Sequence, residues 1–188
     1  LGALALLACS GPTGECPAFA EGGSWFGLEL IDQQSWTSID APDDDPFAEM
    51  GRPDEVECAE NFGWQVINTL HGRQVDIDLF DCDWFSVEQP LAMDVPACTP
   101  MRVGFRHFDL TSPEPAEAYM AVSIGGEVIW EQRVEIPGGD EKGMANVYDV
   151  DFPASRDYAA GEQVVIHVHN HGENSYVFAG LTADLGEG

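Results

Sequence analysis

The feature that most constrains this chain is a period-two alternation of apolar and polar residues, with almost no helical periodicity. In the run VDIDLF, residues Val75, Ile77 and Leu79 share one face of an extended chain, and two aspartates begin the other face. The pair Gly125-Gly126 separates two such runs, and two glycines at this position favour a type I′ hairpin turn. The pattern therefore predicts an all-β protein.

The same pattern gives the strand boundaries and the core faces. Strands are predicted at 64–70, 75–80, 101–110, 119–124, 147–152, 163–170 and 176–183, and in the hairpin strand that starts at 127. The residues predicted to face the core of this hairpin are Ala118, Met120, Val122, Ile124, Val128, Trp130, Val134 and Ile136. About eight or nine short strands separated by Pro and Gly clusters predict one antiparallel β-sandwich of the jelly-roll type over residues 24–188.

The last third of the chain resembles a known family of β-sandwiches. The runs AYMAVSIGGEVIWEQRVEI and YDVDFPASRDYAAGEQVVIHVHNHGENSYVFAGLTA are similar to galactose-binding-like domains and to the carbohydrate-binding modules that share their fold. The similarity covers about residues 118–185 and consists of a Gly-turn hairpin, an Ala-Gly-x-x-Val strand start and a final apolar strand. It implies a galactose-binding-like fold more than a particular sugar, and modules that resemble this family often carry a structural calcium ion.

The N-terminal segment predicts export and lipidation. Residues 1–8 are only Leu, Gly and Ala, a stretch too short to span a bilayer, so they are typical of the end of a signal peptide. The run Leu6-Leu7-Ala8-Cys9 resembles the bacterial lipobox, which implies that Cys9 is lipidated. The alternatives are an ordinary signal peptide cut nearby, or a buried apolar start with a free thiol.

Residues 9–23 are rich in Gly, Pro and Ala, and are predicted to be a tether between a lipid anchor and the domain. The expected location is the bacterial cell envelope, at the outer membrane or the cell surface rather than the inner membrane. Contact with the membrane is expected through the lipid anchor only.

Five cysteines cannot all pair, and lipidation of Cys9 leaves an even set. That set is Cys16, Cys58, Cys82 and Cys98. In an oxidising compartment it is expected to form two disulfides, for which three connectivities exist. The preferred pairing joins Cys16 to Cys58 and Cys82 to Cys98, because it ties down the N-terminal segment and closes a short excursion. A cysteine zinc site is the alternative, but no CxxC pair is present.

The charge excludes several classes of partner. Seven basic residues against 34 acidic ones give a net charge of −27, so binding to nucleic acid or to anionic lipid through a basic patch is excluded. The chain nevertheless has 44% apolar and 10% aromatic residues, enough to build a core. An acidic surface of this kind favours calcium or neutral sugars as ligands.

Three histidines form the first candidate metal site. His167, His169 and His171 alternate along a predicted strand, so their side chains share one face and could bind zinc or copper. Neighbours on one face lie about 7 Å apart, which is wide for three ligands of one ion unless the strand bends. The alternative is a polar strand face that ends in the turn at Gly172.

An acidic loop forms the second candidate metal site. The run IDAPDDDPFAE holds five carboxylates, at Asp40, Asp43, Asp44, Asp45 and Glu49. Clustered oxygen ligands on one loop suit calcium, and the resemblance described above also implies this ion. The spacing does not match an EF-hand, and a solvated acidic loop is the alternative.

Saccharide binding needs an exposed aromatic ring beside carboxylates or amides. The tryptophans are Trp25, Trp36, Trp64, Trp84 and Trp130. Trp130 and Trp64 are predicted to be buried, whereas Trp84, which follows Asp81 and Asp83, is the best surface candidate. A core role is the alternative for each tryptophan.

Motifs of the common enzyme classes are missing from the sequence, including GxSxG, HExxH and the Gly-rich nucleotide-binding loops. We therefore expect a non-catalytic binding module for glycan or cell-envelope polysaccharide, with calcium as a possible structural ion. One alternative is an envelope protein that binds other proteins and no small ligand. The other is a metal-binding domain that uses the three histidines.

Overall fold

The computed structural model describes residues 16, 27–39, 45–53, 57–170 and 172–185. The predictions for residues 1–8, for Cys9, for the rest of the tether apart from Cys16, and for Asp40, Asp43, Asp44 and His171 lie outside these residues. Within them the structure is all-β, as predicted, with twelve strands. The described residues include no helix with the length and apolar character needed to cross a bilayer.

The strands form two sheets. Their bounds are β1 (Leu28–Glu29), β2 (Thr37–Ser38), β3 (Ala59–Glu60), β4 (Gly63–Thr69), β5 (Gly72–Asp78), β6 (Trp84–Pro90), β7 (Pro100–His107), β8 (Ala116–Ile124), β9 (Glu127–Ile136), β10 (Asn146–Pro153), β11 (Gln163–His169) and β12 (Ser175–Ala183). One sheet has seven strands in the order β10-β7-β12-β5-β4-β3, with β1 also paired to β12, and the other has the order β2-β6-β11-β8-β9. The β-sandwich prediction is therefore confirmed.

Four connections cross between the sheets at one end of the sandwich. They join β5 to β6, β7 to β8, β9 to β10 and β11 to β12. The register shows that they lie together, because Ser175 at the start of β12 pairs with Asp78 at the end of β5. His107 at the end of β7 likewise pairs with Asn146 at the start of β10. Four loops that meet at one end can form a cleft.

The alternation predicted the core correctly on β8 and only partly on β9. Ala118, Met120, Val122 and Ile124 are all fully buried, and the Gly125-Gly126 turn has the positive φ angles expected of a type I′ hairpin. On β9, Trp130 pairs with Val122, but Val128 pairs with Ser123, so a bulge places one extra residue between them. The bulge changes the phase of the strand, and Val128 is exposed, so its predicted core position is wrong.

Strand β6 was missed by the pattern. Its sequence WFSVEQP shows no clean alternation because residues on both of its faces are buried. One face points to the core, where Phe85 contacts Trp64. Ser86 on the other face bonds to Asp45, which belongs to residues 45–53, so that segment covers the outer face of the five-stranded sheet. A strand that is buried on both sides lacks the polar face that the alternation requires.

The two disulfides are present, but the preferred connectivity is wrong. The structure joins Cys16 to Cys98 and Cys58 to Cys82, with Cα separations of 5.2 and 5.1 Å. The cause is the missed strand, because seven residues of β6, about 23 Å long, separate Cys82 at one end of the sandwich from Cys98 at the other. The backbone N–H of Cys58 donates to the carbonyl of Trp84 at 2.8 Å, which brings Cys58 to the loop that contains Cys82.

We predict that a non-reducing digest of the oxidised protein contains Cys16–Cys98 and Cys58–Cys82 peptides. The double variant Cys58→Ser/Cys82→Ser should lose about 3.5 kcal/mol of unfolding free energy, the chain-entropy value for a separation of 24 residues. Denaturant unfolding measures this loss, and Cys16→Ser/Cys98→Ser is the matched comparison. A digest with Cys16 linked to Cys58 would refute the connectivity.

Candidate functional site

A cleft of about 660 Å³ opens at the end of the sandwich where the four loops cross between the sheets. The β5–β6, β7–β8, β9–β10 and β11–β12 loops all contribute to its walls. The described residues that line it are Leu79, Phe80, Asp81, Cys82, Asp83, Thr111, Ser112, Pro113, Gly139, Gly172 and Glu173.

Hydrogen bonds from one asparagine hold two of these loops together. Asn174, which is buried, accepts the backbone N–H of Thr111 at 2.6 Å and donates from its Nδ2 to the carbonyl of Thr111 at 3.0 Å. Gly172 lies against the same carbonyl, and a Cβ at this position would stand 2.1 Å from the oxygen, so no larger residue fits. The N–H of Gly139 donates to the carbonyl of Ser112 at 2.9 Å and joins a third loop. Hydrogen bonds to backbone groups therefore hold three loops of the cleft together.

The cleft combines one exposed ring with several oxygen groups. Phe80 is 54% exposed, and the carboxylates of Asp81 and Glu173 are exposed beside it. Asp81 and Asp83, which the sequence analysis named as candidate binding residues, both line this cleft. Among the described lining residues there is no Lys or Arg. The arrangement can stack an apolar surface against a ring and accept hydrogen bonds from a ligand.

Trp84 is not the aromatic of this site, and the prediction that it is exposed is wrong. It is 3% exposed, and the guanidinium of Arg52 lies 4.0 Å from the centre of its ring. Arg52 belongs to the segment that covers the outer face of the sheet, a contact that local sequence does not reveal. The aromatic that sequence reasoning missed is Phe80. Its signal was available, because Phe80 stands on the acidic face of the run 75–80 rather than with Val75 and Ile77.

The two described histidines of β11 lie beneath this covering segment. His167 is fully buried and His169 is 3% exposed. Nε2 of His167 lies 2.8 Å from Nδ1 of His169, and Nδ1 of His167 lies 2.5 Å from Oγ of Ser86. The ring of Phe47 stacks on His167 with 5.1 Å between ring centres. The shared strand face predicted for these residues is present, but it faces protein.

Asp45 completes the buried network. Its Oδ2 accepts hydrogen bonds from Arg52 at 2.7 Å and from Ser86 at 3.0 Å, and its Oδ1 accepts the N–H of Phe47 at 3.0 Å. The Asp45 side chain is fully buried, so a solvated acidic loop does not describe this residue. Both carboxylate oxygens are engaged by protein donors, which leaves Asp45 poorly placed as a calcium ligand.

The metal predictions stay predictions. Asp43, Asp44 and His171 lie outside the described residues, while Glu49 is described and exposed. Within the part of the chain that the structure describes, no three His, Cys, Asp or Glu side chains are grouped so that they could hold a metal ion.

The surroundings of Asp45 and His167 determine which of the two side chains is charged. Burial is the largest influence on Asp45 and opposes its ionisation, but hydrogen bonds from His167, Phe47 and Ser86 hold the pKa of this carboxyl at about 2. Burial lowers the pKa of His167, and the nearby charge of Asp45 only partly offsets this effect. At neutral pH the network therefore contains a neutral imidazole and an ionised carboxylate.

Comparisons with known proteins do not assign the chain to a family. No family model matches the chain, and no curated protein sequence matches it. Solved structures similar to the chain include the carbohydrate-binding module TmCBM61 in complex with beta-1,4-galactotriose, with 14% identity over 64% of this chain and 81% of that chain and a TM-score of 0.36. A CBM4 structure has 8% identity over 63% of this chain and 87% of that chain, with a TM-score of 0.37.

The K1 cleaved adhesin domain of Lys-gingipain from Porphyromonas gingivalis W83 is 13% identical over 86% of this chain and 98% of that chain, with a TM-score of 0.42. Identities and TM-scores this low assign no function to the chain.

We predict that acid destabilises the protein in two phases, which denaturant unfolding from pH 8 to pH 2 should resolve. In the unfolded chain His167 takes up a proton near its ordinary pKa of about 6.5, which the folded network resists, so stability falls as pH drops below that value. Asp45 has a depressed pKa of about 2, so its contribution is lost as pH falls from about 4 toward 2.

The variant His167→Asn should be less stable at pH 8 and should lose most of the first phase. The control His71→Asn, at an exposed histidine, should keep it. An unchanged slope between pH 6.5 and 5 in His167→Asn would contradict the assignment.

Proposed function

We propose that this domain is the non-catalytic saccharide-binding module of an exported bacterial envelope protein, and that the end cleft is its binding site. The observation that carries the proposal is the half-exposed ring of Phe80 beside the carboxylates of Asp81, Asp83 and Glu173. The apolar face of a sugar ring stacks on an aromatic side chain, and sugar hydroxyls donate hydrogen bonds to carboxylates. The ligand is a glycan or cell-envelope polysaccharide.

The charge of the cleft supports a neutral ligand. The described lining residues carry carboxylates and no basic group, so a sulfated or uronic polysaccharide meets like charge and gains no ion pair. The hydroxyl-bearing side chains of Thr111 and Ser112 add polar groups that match a neutral sugar. This agrees with the net charge of −27 for the whole chain.

A non-catalytic role is supported by the geometry of the buried network. Ser86, His167 and Asp45 are the residue types of a hydrolase triad, but Ser86 and Asp45 both lie against Nδ1 of His167, at 2.5 and 3.4 Å. A triad needs the carboxylate and the nucleophile on opposite ring nitrogens. Nε2 is instead held by His169, and His167 is fully buried, so substrate cannot reach it.

A protein-interaction role in the envelope is the second candidate. Met144, Val147 and Phe108 are large apolar side chains that are half or more exposed near the start of β10. β10 is also an edge strand of the seven-stranded sheet, and such an edge can pair with another chain. This candidate replaces saccharide binding if no saccharide binds the cleft.

Export and lipid anchoring belong to the same proposal. The two disulfides support an oxidising compartment outside the cytoplasm, and the lipobox resemblance supports a lipid on Cys9. The proposed location is the outer membrane or the cell surface. A structural calcium ion remains part of the proposal only for Asp43 and Asp44, since protein donors engage both oxygens of Asp45.

Calorimetric titration with neutral gluco-, galacto- and manno-oligosaccharides tests the cleft. We expect at least one of them to bind, and Phe80→Ala to weaken its binding about tenfold or more through loss of the stacking surface. Phe62→Ala is the matched control, since Phe62 is an exposed phenylalanine outside the cleft lining. Equal loss in both variants would argue against the cleft.

Fractionation of bacteria that express the precursor tests the anchor. The wild-type protein should be in the detergent-soluble membrane fraction, and mass spectrometry should find a lipid on Cys9. Cys9→Ser should move the protein to the soluble fraction or block its processing. A Cys9→Ser protein that remains in the membrane fraction would refute lipidation as the anchor.

A further inference from the structure

A second groove lies on the open side of the sandwich, between the edges of the two sheets. β2 forms the edge of the five-stranded sheet and β3 forms the edge of the seven-stranded sheet, and each is only two residues long. The groove has a volume of about 620 Å³. Its described lining residues are Trp36, Thr37, Ser38, Ile39, Glu60, Trp64 and Glu88, none of which lines the end cleft.

Two tryptophans line the groove from the core side. The ring of Trp36 stands edge-on to Phe178 with 6.0 Å between ring centres, and the ring of Trp64 stands at a steep angle to Phe85 at 5.6 Å. Both side chains are more than nine-tenths buried, so the core holds them in fixed positions. They give the groove an aromatic wall that needs no rearrangement of the chain to form.

One hydrogen-bond donor in this wall is unsatisfied. Nε1 of Trp36 donates to Oε1 of Gln33 at 3.2 Å, whereas the buried Nε1 of Trp64 has no hydrogen-bond partner. A buried donor without a partner costs stability, and this cost disappears when a ligand oxygen accepts the bond. No described residue accepts a hydrogen bond from this Nε1.

The rim of the groove supplies carboxylates and hydroxyl groups. Glu60 on β3 is exposed and Glu88 on β6 is half-buried, so both sheets contribute a carboxylate. Thr37 and Ser38 add hydroxyl groups from β2. None of the described lining residues is basic, which disfavours an anionic ligand. A neutral ligand that has hydroxyl donors and an apolar face matches these rim groups, and it also carries oxygens that can accept a hydrogen bond.

We propose that this groove binds a neutral saccharide unit, so that the domain has two separate saccharide sites. Its volume falls within the range of about 300–1,000 Å³ that is usual for small-ligand sites. The two sites share no lining residue, so each can act without the other. On a polymeric glycan, two sites in one domain raise the apparent affinity about 100-fold or more, because the second binding event is intramolecular.

Calorimetry with the same neutral oligosaccharides, on the disulfide-bonded protein, tests the second site. In the Phe80→Ala background, where binding at the end cleft is weakened about tenfold or more, a binding isotherm that responds to the groove variants should remain. Trp64→Phe in that background removes the indole donor and keeps an aromatic ring, and should weaken the remaining binding about tenfold. Glu60→Gln/Glu88→Gln removes the rim charges without touching the core, and keeps the test valid if Trp64→Phe does not fold. Glu135→Gln, an exposed carboxylate outside both sites, is the matched control.

The outcomes separate this inference from the proposed function. Binding that survives Phe80→Ala and weakens in the groove variants supports the second site. Binding that is abolished by Phe80→Ala alone overturns the second site and leaves the end cleft as the only one. Binding that responds to the groove variants but not to Phe80→Ala supports the groove and overturns the cleft. No binding of any oligosaccharide overturns both.

Discussion

The Cys58–Cys82 disulfide is the link on which both proposed sites depend, because Cys82 belongs to the wall of the cleft and Cys58 lies at the edge of the groove. Cys82 lines the end cleft, and Cys58 directly precedes β3, whose Glu60 lines the groove. Gly63 packs directly against this bond, since a Cβ on Gly63 would lie 2.7 Å from the sulfur of Cys82. The crosslink therefore fixes the β5–β6 loop against the β3–β4 edge, and a site that is fixed before its ligand arrives loses less entropy on binding.

Charge distribution explains why both sites suit neutral ligands. Five of the seven basic side chains are already in ion pairs with carboxylates, in pairs that include the buried Arg52–Asp45 and the bidentate Arg102–Asp151. Acidic residues outnumber basic ones by 34 to seven, and the described linings of both sites contain carboxylates and no cations. The net negative charge of such a surface repels anionic glycans and nucleic acids. Neutral sugars do not, and they can donate hydrogen bonds to the carboxylates.

The alternation of apolar and polar residues predicted those parts of the structure that depend on residues close together in sequence. A strand with one wet and one dry face, such as β5, shows the alternation and was found. β8 is buried on both faces, and it was found because the Gly125-Gly126 hairpin signal marks its end. β6 is buried on both faces, so it carries no alternation, and the missed strand also caused the wrong disulfide pairing. The burial of Trp84 depends on Arg52, and the contact of His167 depends on Ser86, 81 residues away. Such contacts arise from tertiary packing, which alternation along one strand cannot report.

The most direct test of the saccharide-binding account is amide NMR of the disulfide-bonded domain, titrated with the neutral oligosaccharide that binds best. The account predicts progressive, saturable shifts of the amides of residues 79–83, 111–113 and 172–173, which come from three loops that are far apart in sequence. A second set in residues 36–39, 60 and 88 would report the groove. Spectra that stay unchanged at saturating oligosaccharide, or shifts confined to residues outside both sets, would contradict the assignment of this domain as a saccharide-binding module.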